Sequence, residues 1–529
     1  MASSRTIDLL KLVISLLPVA IKTAIFNALS LSENSAKQST KVETVVTVIR
    51  TVLSHKTPLS RIQARSSTDR GIKGPIWIAK VSLPPPRESD GLDAVLAAIR
   101  NLGNGSETFA APCYATTTGE WTGWRYNVAK TARRPDMAEA EQYRSLIAET
   151  TSPVTILYFH GGGFFCLDPA SHRHITALLA KRTAGRVFSL RYRLAPQHPF
   201  PSALIDCLLA YLYLLAPPPS ALHTPIPAAH IVFAGDSAGG NLALSLNLLI
   251  LTLKRMGIHS LRYHGVSVPL ERPAGVATNS PWTEITCSLP SQSRNAKYDY
   301  LPGPPSAANN YEPTLPNTRA CEIWPSSPPR AEIYCSASLL THPLVCPLLV
   351  PPRLWEGTPS VFLCVGEETL MDGVLVTARH ILASGSVPVV LAAYEGMPHC
   401  GALVFPGSDF GRDCIARWAA YCTDAVEDSI QSGSNGSDVV VVGDEEKKAM
   451  SSSGKKVKTV GTWMKALARP AVIRDLPVAS ASDLSDEQVS AILHRAVERA
   501  SQREQRALDE WRSSNSSNKD DRSTARARL

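Results

Sequence analysis

The 529-residue sequence predicts an α/β architecture, a mainly parallel sheet wrapped by helices, and three features carry the prediction. Short apolar runs alternate with helix-like stretches from Val154 onward, the pattern left by strands joined through crossover helices. The apolar run Ala229 to Ala234 leads into Gly235-Asp236-Ser237-Ala238-Gly239-Gly240, and Asn241 to Leu249 then reads as a helix. That stretch fits G-x-S-x-G in the strand–turn–helix setting that exposes a serine hydroxyl. Flanking glycines tolerate the unusual backbone angles of such a turn. His160-Gly161-Gly162-Gly163-Phe164 closes a second apolar run, Val154 to Phe159. With no side chains in the way, backbone N–H groups there can point at a developing oxyanion.

Along the chain, residues 1–150 hold helical and irregular material broken at Pro84-Pro85-Pro86 and around Gly103 to Gly105. Leu92 to Leu102 has helical spacing, and Thr122 to Val128 reads as an early strand. Val187 to Leu190 is a predicted strand, and Ser202 to Leu215 a helix closed by three prolines. After the strand Val276 to Asn279 the pattern lapses into a segment dense in proline, carrying Tyr298, Tyr300, Tyr311 and Trp324. A long insert between core strands is either a functional lid or disordered, and the aromatic residues favour an ordered wall. Regularity returns with strand Val361 to Val365, helix Val374 to Leu382 and strand Val387 to Tyr394. The expected organisation is an N-terminal helical cap or extension at 1–150 and a catalytic domain at 151–427 containing a lid-like insert at 284–359. A low-complexity linker at 428–480 and a C-terminal helix with a disordered tail at 481–529 complete it.

Composition narrows the function classes. Hydrophobic residues make up 44% of the chain, ample for a large core, and the formal net charge of +8 is spread rather than striped. The basic cluster near the C-terminus reads as a solvated helix and tail, so no nucleic-acid partner is expected. Eleven dispersed cysteines lack C-x-x-C pairs, which suits reduced thiols in a cytoplasmic setting. No Cys/His cluster has zinc spacing, and no metal is expected. Residues 7–31 are rich in apolar side chains, but Lys11 and Lys22 interrupt them and Pro18 lies in the middle. The free stretch Leu12 to Ile21 is too short to span a bilayer. It reads as part of an amphipathic helical pair that covers the active site or makes peripheral membrane contact.

The two glycine-rich stretches, together with Tyr192-Arg193-Leu194-Ala195-Pro196, Pro199-Phe200-Pro201 and Asn279-Ser280-Pro281-Trp282, resemble the hormone-sensitive-lipase-like family of α/β-hydrolases. That family includes arylacetamide deacetylases and microbial carboxylesterases. The wording around Asn295 to Tyr300 is most similar to fungal members. The resemblance covers roughly residues 150–425 and implies an α/β-hydrolase fold, a serine nucleophile and no cofactor.

Ser237 is the candidate nucleophile. A serine hydroxyl needs a base, and α/β-hydrolases order their triad as Ser, acid, His. His399, in a loop just past a predicted strand, has the expected placement and similar wording to the family's catalytic histidine; His342 and His380 do not. The resemblance places the acid after Val365, within Gly366-Glu367-Glu368-Thr369-Leu370-Met371-Asp372. Aligning Leu370 and Asp372 on the family's usual Asp-x-Leu-x-Asp puts Glu368 at the first acid position, where the family usually has Asp. Asp372 is the alternative acid, and Glu367 would require a one-residue shift. The oxyanion hole implied is the backbone N–H groups of Gly162, Gly163 and Ala238. His160 and Asp236 are expected to position loops rather than move protons.

The function expected is hydrolysis of a small-molecule or lipid carboxylic ester through an acyl-enzyme. The alternatives are an amidase or deacetylase with the same triad, and a non-catalytic receptor on the same scaffold, as in the gibberellin receptors that resemble this family. Such receptors lose the base, whereas serine, histidine and acid stand together here.

Overall fold

The structure is a computed structural model that describes residues 2–55, 57–301, 319–434, 458–465 and 472–526. The chain opens with α1 (Ala2–Ala28), α2 (Thr40–Leu53), α3 (Leu59–Ser66), β1 (Ile76–Leu83), α4 (Asp90–Leu102), β2 (Thr117–Trp124) and α5 (Glu139–Ala148). Next come β3 (Thr155–Phe159), α6 (Pro169–Thr183), β4 (Arg186–Arg191), α7 (Ser202–Leu215), β5 (Ile231–Asp236) and α8 (Ala238–Arg255). A small hairpin, β6 (Ser260–Tyr263) with β7 (Val266–Pro269), precedes β8 (Gly275–Asn279). The remainder comprises α9 (Ser291–Arg294), β9 (Ser360–Gly366), α10 (Met371–Ala383), β10 (Val389–Tyr394), α11 (Gly401–Val404) and α12 (Asp409–Ser434). Last are β11 (Val460–Lys465), β12 (Val472–Asp475) and α13 (Asp486–Arg526).

Ten strands form one sheet in the order β1-β2-β4-β3-β5-β8-β9-β10-β11-β12. The stretch from β4 to β11 is parallel; β1, β2 and β12 join antiparallel at the two edges. Side chains alternate between faces, as strand geometry requires. Leu157, Phe159, Phe233, Val276 and Leu363 point to one core, which they share with α7 and α8. Ile156, Tyr158, Val232, Ala277 and Phe362 point to the other, against α6 and α12. Both faces being covered explains why these strands read as continuous apolar runs rather than alternating ones.

Register sets up the site. Phe159 pairs with Gly235, Asp236 with Asn279, Asn279 with Cys364, and Gly366 with Tyr394. The loops after β3, β5, β8, β9 and β10 therefore leave the sheet side by side at its carboxyl edge, where open α/β sheets bind ligands.

Three expectations change. The sheet does not begin at residue 151: β1 and β2, both within the expected cap, form its first edge. The region expected to be linker supplies β11 and β12; its residues 435–457 and 466–471 lie outside the described set. Helix α13 continues to Arg526, through most of the stretch expected to be a disordered tail, while residues 527–529 lie outside the described set. In the insert, residues 302–318 are likewise outside it. The described part packs firmly, with Tyr334, Leu344 and Trp355 buried. Among the described residues no helix is long and apolar enough to cross a membrane.

Candidate active site

Ser237 sits between the end of β5 and the first residue of α8 with φ +53° and ψ −121°. This region is costly for a side-chain-bearing residue, about 1–3 kcal/mol, and persists only when neighbours enforce it. They do: the Ser237 N–H donates to the Asn279 carbonyl at 3.0 Å, and its own carbonyl accepts from Trp282 N at 2.9 Å and Asn241 N at 3.1 Å. Gly239 is required by close approach, since a Cβ there would lie 1.9 Å from the Phe159 carbonyl oxygen. Ser237 itself is only partly buried, so its hydroxyl stays reachable. Phe164, Leu167, Ser280 and Cys400 also have positive φ, and all lie in loops at this edge of the sheet. With Ser237 they are five of the ten non-glycine residues with positive φ among the described residues.

His399 and Glu368 meet. The loop after β10 carries His399, whose Nδ1 lies 2.8 Å from Glu368 Oε2 in the loop after β9. Both side chains are buried. Burial alone would lower the imidazolium's pKa, but the charge and hydrogen bond of Glu368 outweigh it and the net shift is upward. Glu368 is raised by burial, with His399 opposing. The other ring nitrogen, Nε2, faces away from Glu368 and has Cys400 Sγ at 3.4 Å.

The rival groups are engaged elsewhere. Asp372 Oδ2 accepts from Ser291 N at 2.8 Å, and its Oδ1 from Arg294 Nη2 at 2.6 Å. Glu367 pairs with Lys37 at 2.7 Å. His342 Nε2 is 3.0 Å from the Ile99 carbonyl, and His380 bridges the Leu348 carbonyl and Asp486.

The glycine loop after β3 turns through positive φ at Gly162 (+108°) and Gly163 (+60°). A Cβ on Gly162 would lie 2.1 Å from the Cys166 carbonyl oxygen, so glycine is required there. Ala238 opens α8, whose first N–H groups have no partner within the helix. His160 is buried and stacked on Tyr192 at 4.2 Å. Burial, with the nearby His172, pushes its pKa down to about 3, so it stays neutral at ordinary pH. Its Nδ1 lies 2.7 Å from the Gly161 carbonyl. Phe164 stacks on Tyr334 of the insert at 3.7 Å, an aromatic contact worth about 0.5–1.5 kcal/mol beyond its area.

Asp236 anchors the glycine loop to the elbow. It accepts from Tyr158 Oη at 2.6 Å and from Gly161 N at 3.2 Å. His172 Nε2 lies 3.2 Å away. Burial pushes the Asp236 carboxyl up, yet His172 brings it below its ordinary value; His172, lowered by burial, ends raised through Asp236. Sequence reading missed Tyr158 and His172. They lie 78 and 64 residues from Asp236, and no local pattern links them.

An α/β-hydrolase fold family model matches residues 156–403. An acetyl-hydrolase of Streptomyces hygroscopicus is 27% identical over 278 residues, 52% of this chain and 78% of that protein. A versiconal hemiacetal acetate esterase of Emericella nidulans is 30% identical over 253 residues, 47% of this chain and 75% of the relative. A crystal structure of an esterase from the bacterial hormone-sensitive lipase family aligns with a TM-score of 0.42 at 23% identity, covering 64% of this chain and 99% of that one. The family match and these relatives place the chain among the α/β-hydrolases. The chain belongs to the α/β-hydrolase family and is a carboxylesterase-type enzyme.

Proposed function

We propose that Ser237, His399 and Glu368 are the nucleophile, base and acid of an acyl-transfer triad acting on a small-molecule or lipid carboxylic ester. His399 takes the Ser237 proton as the hydroxyl attacks the ester carbonyl, then gives it to the leaving alcohol. Water, deprotonated by the same imidazole, clears the acyl-enzyme and restores Ser237. Glu368 holds the Nδ1 tautomer and stabilises the imidazolium. Backbone N–H groups of Gly162, Gly163 and Ala238 receive the oxyanion; losing one such donor costs on the order of a hundredfold or more. The observation that carries this reading is the buried 2.8 Å contact between His399 and Glu368, on the edge of the sheet that bears Ser237. The test is labelling by a fluorophosphonate probe together with hydrolysis of p-nitrophenyl esters of rising acyl length. Ser237→Ala should abolish both with the fold intact. Labelling of that variant at the wild-type rate overturns the nucleophile assignment.

The insert at 284–359 supplies a wall beside the site, supported by the Tyr334–Phe164 stack. Residues 7–31 make peripheral contact with a lipid surface, supported by a helical stripe on α1. Ile14, Leu17, Ile21 and Ile25 recur at helical spacing and are 49–56% exposed, with Lys22 beside them. Release of the full-length protein from membranes by alkaline carbonate is expected. Resistance to both carbonate and high salt refutes surface attachment.

A further inference from the structure

Asp299 lies in the insert that follows β8, outside both glycine-rich motifs, and its side chain is buried. Its Oδ1 accepts from the backbone N–H groups of His399 at 3.1 Å, Tyr300 at 2.7 Å and Leu301 at 3.3 Å. Its Oδ2 accepts from Thr369 N at 2.9 Å and Thr369 Oγ1 at 2.8 Å. Thr369 immediately follows Glu368. One carboxylate therefore grips the main chain of the candidate base with one oxygen and the residue beside the candidate acid with the other. Only an anion with two acceptor oxygens can receive both sets of donors at once. The same segment holds the acid loop at other points. Asn295 Nδ2 donates to the Glu368 carbonyl at 3.0 Å, and Ser291 Oγ to the Thr369 carbonyl at 2.6 Å. Arg50 Nε donates to the backbone carbonyl of Asp299 at 2.8 Å, so the carboxylate is left to those loops.

We propose that Asp299 is a positioning residue for the hydrolytic reaction, fixing the loop of His399 against the loop of Glu368. The proposal rests on His399 and Glu368 being base and acid. The two loops come from different strands and are 31 residues apart in sequence, so nothing local fixes their separation. Misplacing a catalytic group by about 1 Å can cost about a hundredfold.

Asp299 also acts through charge. The titratable groups facing His399 are Glu368 from the loop after β9, Asp299 and Tyr300 from the insert, Asp236 from the end of β5, and Cys400 on its own loop. Asp236 is already paired with His172. Removing the Asp299 charge makes the imidazolium less favourable, so His399 loses its proton at lower pH.

The test compares wild type, Asp299→Asn and Thr369→Val, with turnover expressed per active site titrated by a fluorophosphonate. Asparagine keeps the size but offers one acceptor oxygen and no charge; valine removes only the Thr369 hydroxyl donor. For Asp299→Asn, kcat per titrated site should fall about tenfold to a hundredfold while KM stays within about threefold. The acid limb of its kcat/KM profile should move to lower pH. Thr369→Val should lower kcat by a smaller factor in the same direction. Loss of stability alone would reduce the number of titrated sites and leave both readouts unmoved. Turnover per site within about twofold of wild type for both variants, with an unmoved acid limb, overturns the proposal. If Asp299→Asn does not yield folded protein, Thr369→Val decides by kcat on the same criterion. His399→Ala, run alongside, separates failure of this proposal from failure of the triad itself: a fully active His399→Ala enzyme sinks the triad, and with an inactive one the Asp299 and Thr369 variants decide the role of Asp299.

Discussion

The carboxyl edge of the sheet and helix α1 treat water in opposite ways. At the edge, ionisable side chains are buried and partnered: Glu368 with His399, Asp236 with His172, Asp372 with Arg294. On α1, large apolar side chains stand in solvent: Ile14, Leu17, Ile21 and Ile25 are half exposed. A buried charge persists only with its partners in good geometry, so groups at the edge are held in single positions. An exposed apolar stripe is under no such constraint and is free to meet another surface. The two regions are joined at the α1–α2 connection, where Gln38 Nε2 donates to the Tyr298 carbonyl at 2.8 Å and the Gly396 carbonyl at 2.7 Å. Lys37 meets Glu367 there as well. Catalysis should therefore depend steeply on single atoms at the edge and weakly on α1.

After Ser237→Ala, the largest effect expected is that of His399→Ala. Removing the proposed base should lower kcat by on the order of ten-thousandfold or more, measured with a p-nitrophenyl ester. A loss below about tenfold would mean that another group deprotonates Ser237.

The second effect is on pH dependence. As the proposed base, His399 must be neutral to accept the Ser237 proton. Burial opposes protonation but Glu368 overrides it, so the net pKa lies above the ordinary 6.5. Activity is then lost as pH falls through that raised value, and the acid limb of kcat/KM should lie above 6.5. A limb below that value would mean that Glu368 does not stabilise the imidazolium in the free enzyme.

The smallest effect on chemistry is expected from deleting residues 1–35. Lys37 and Gln38 remain, although the Asn27 side chain that donates to the Gln38 carbonyl is lost. Fluorophosphonate labelling should stay within about threefold of wild type, while solubility or preference among ester chain lengths changes. A loss of labelling as complete as that of Ser237→Ala would show that α1 belongs to the catalytic body.

What could be read in the sequence follows the same division. The elbow and glycine loop were legible because local backbone demands, a tight turn or close approach, select glycine in place. Helix α7 was legible at its observed bounds, Ser202–Leu215, because it is an apolar block ended by prolines. Strand β1 was not, since Lys80 and Ser82 break its apolar run at a sheet edge. Strands β11 and β12 are six and four residues long and take their identity from pairing with β10 and with each other. Tyr158, His172 and Asp299 were invisible as site residues because each acts across a gap of tens of residues. Glu368 could be ranked above Asp372 only by laying the chain on a family pattern.

That ranking is the most exposed part of the triad, and one paired measurement tests it: kcat/KM of Glu368→Gln beside that of Asp372→Asn. The glutamine side chain would keep the shape but lose the charge that stabilises the imidazolium, whereas Asp372 serves Ser291 and Arg294. Glu368→Gln should fall about a thousandfold or more and Asp372→Asn less than about tenfold, at equal thermal stability. The reverse ordering would make Asp372 the acid and contradict the Ser237–His399–Glu368 triad.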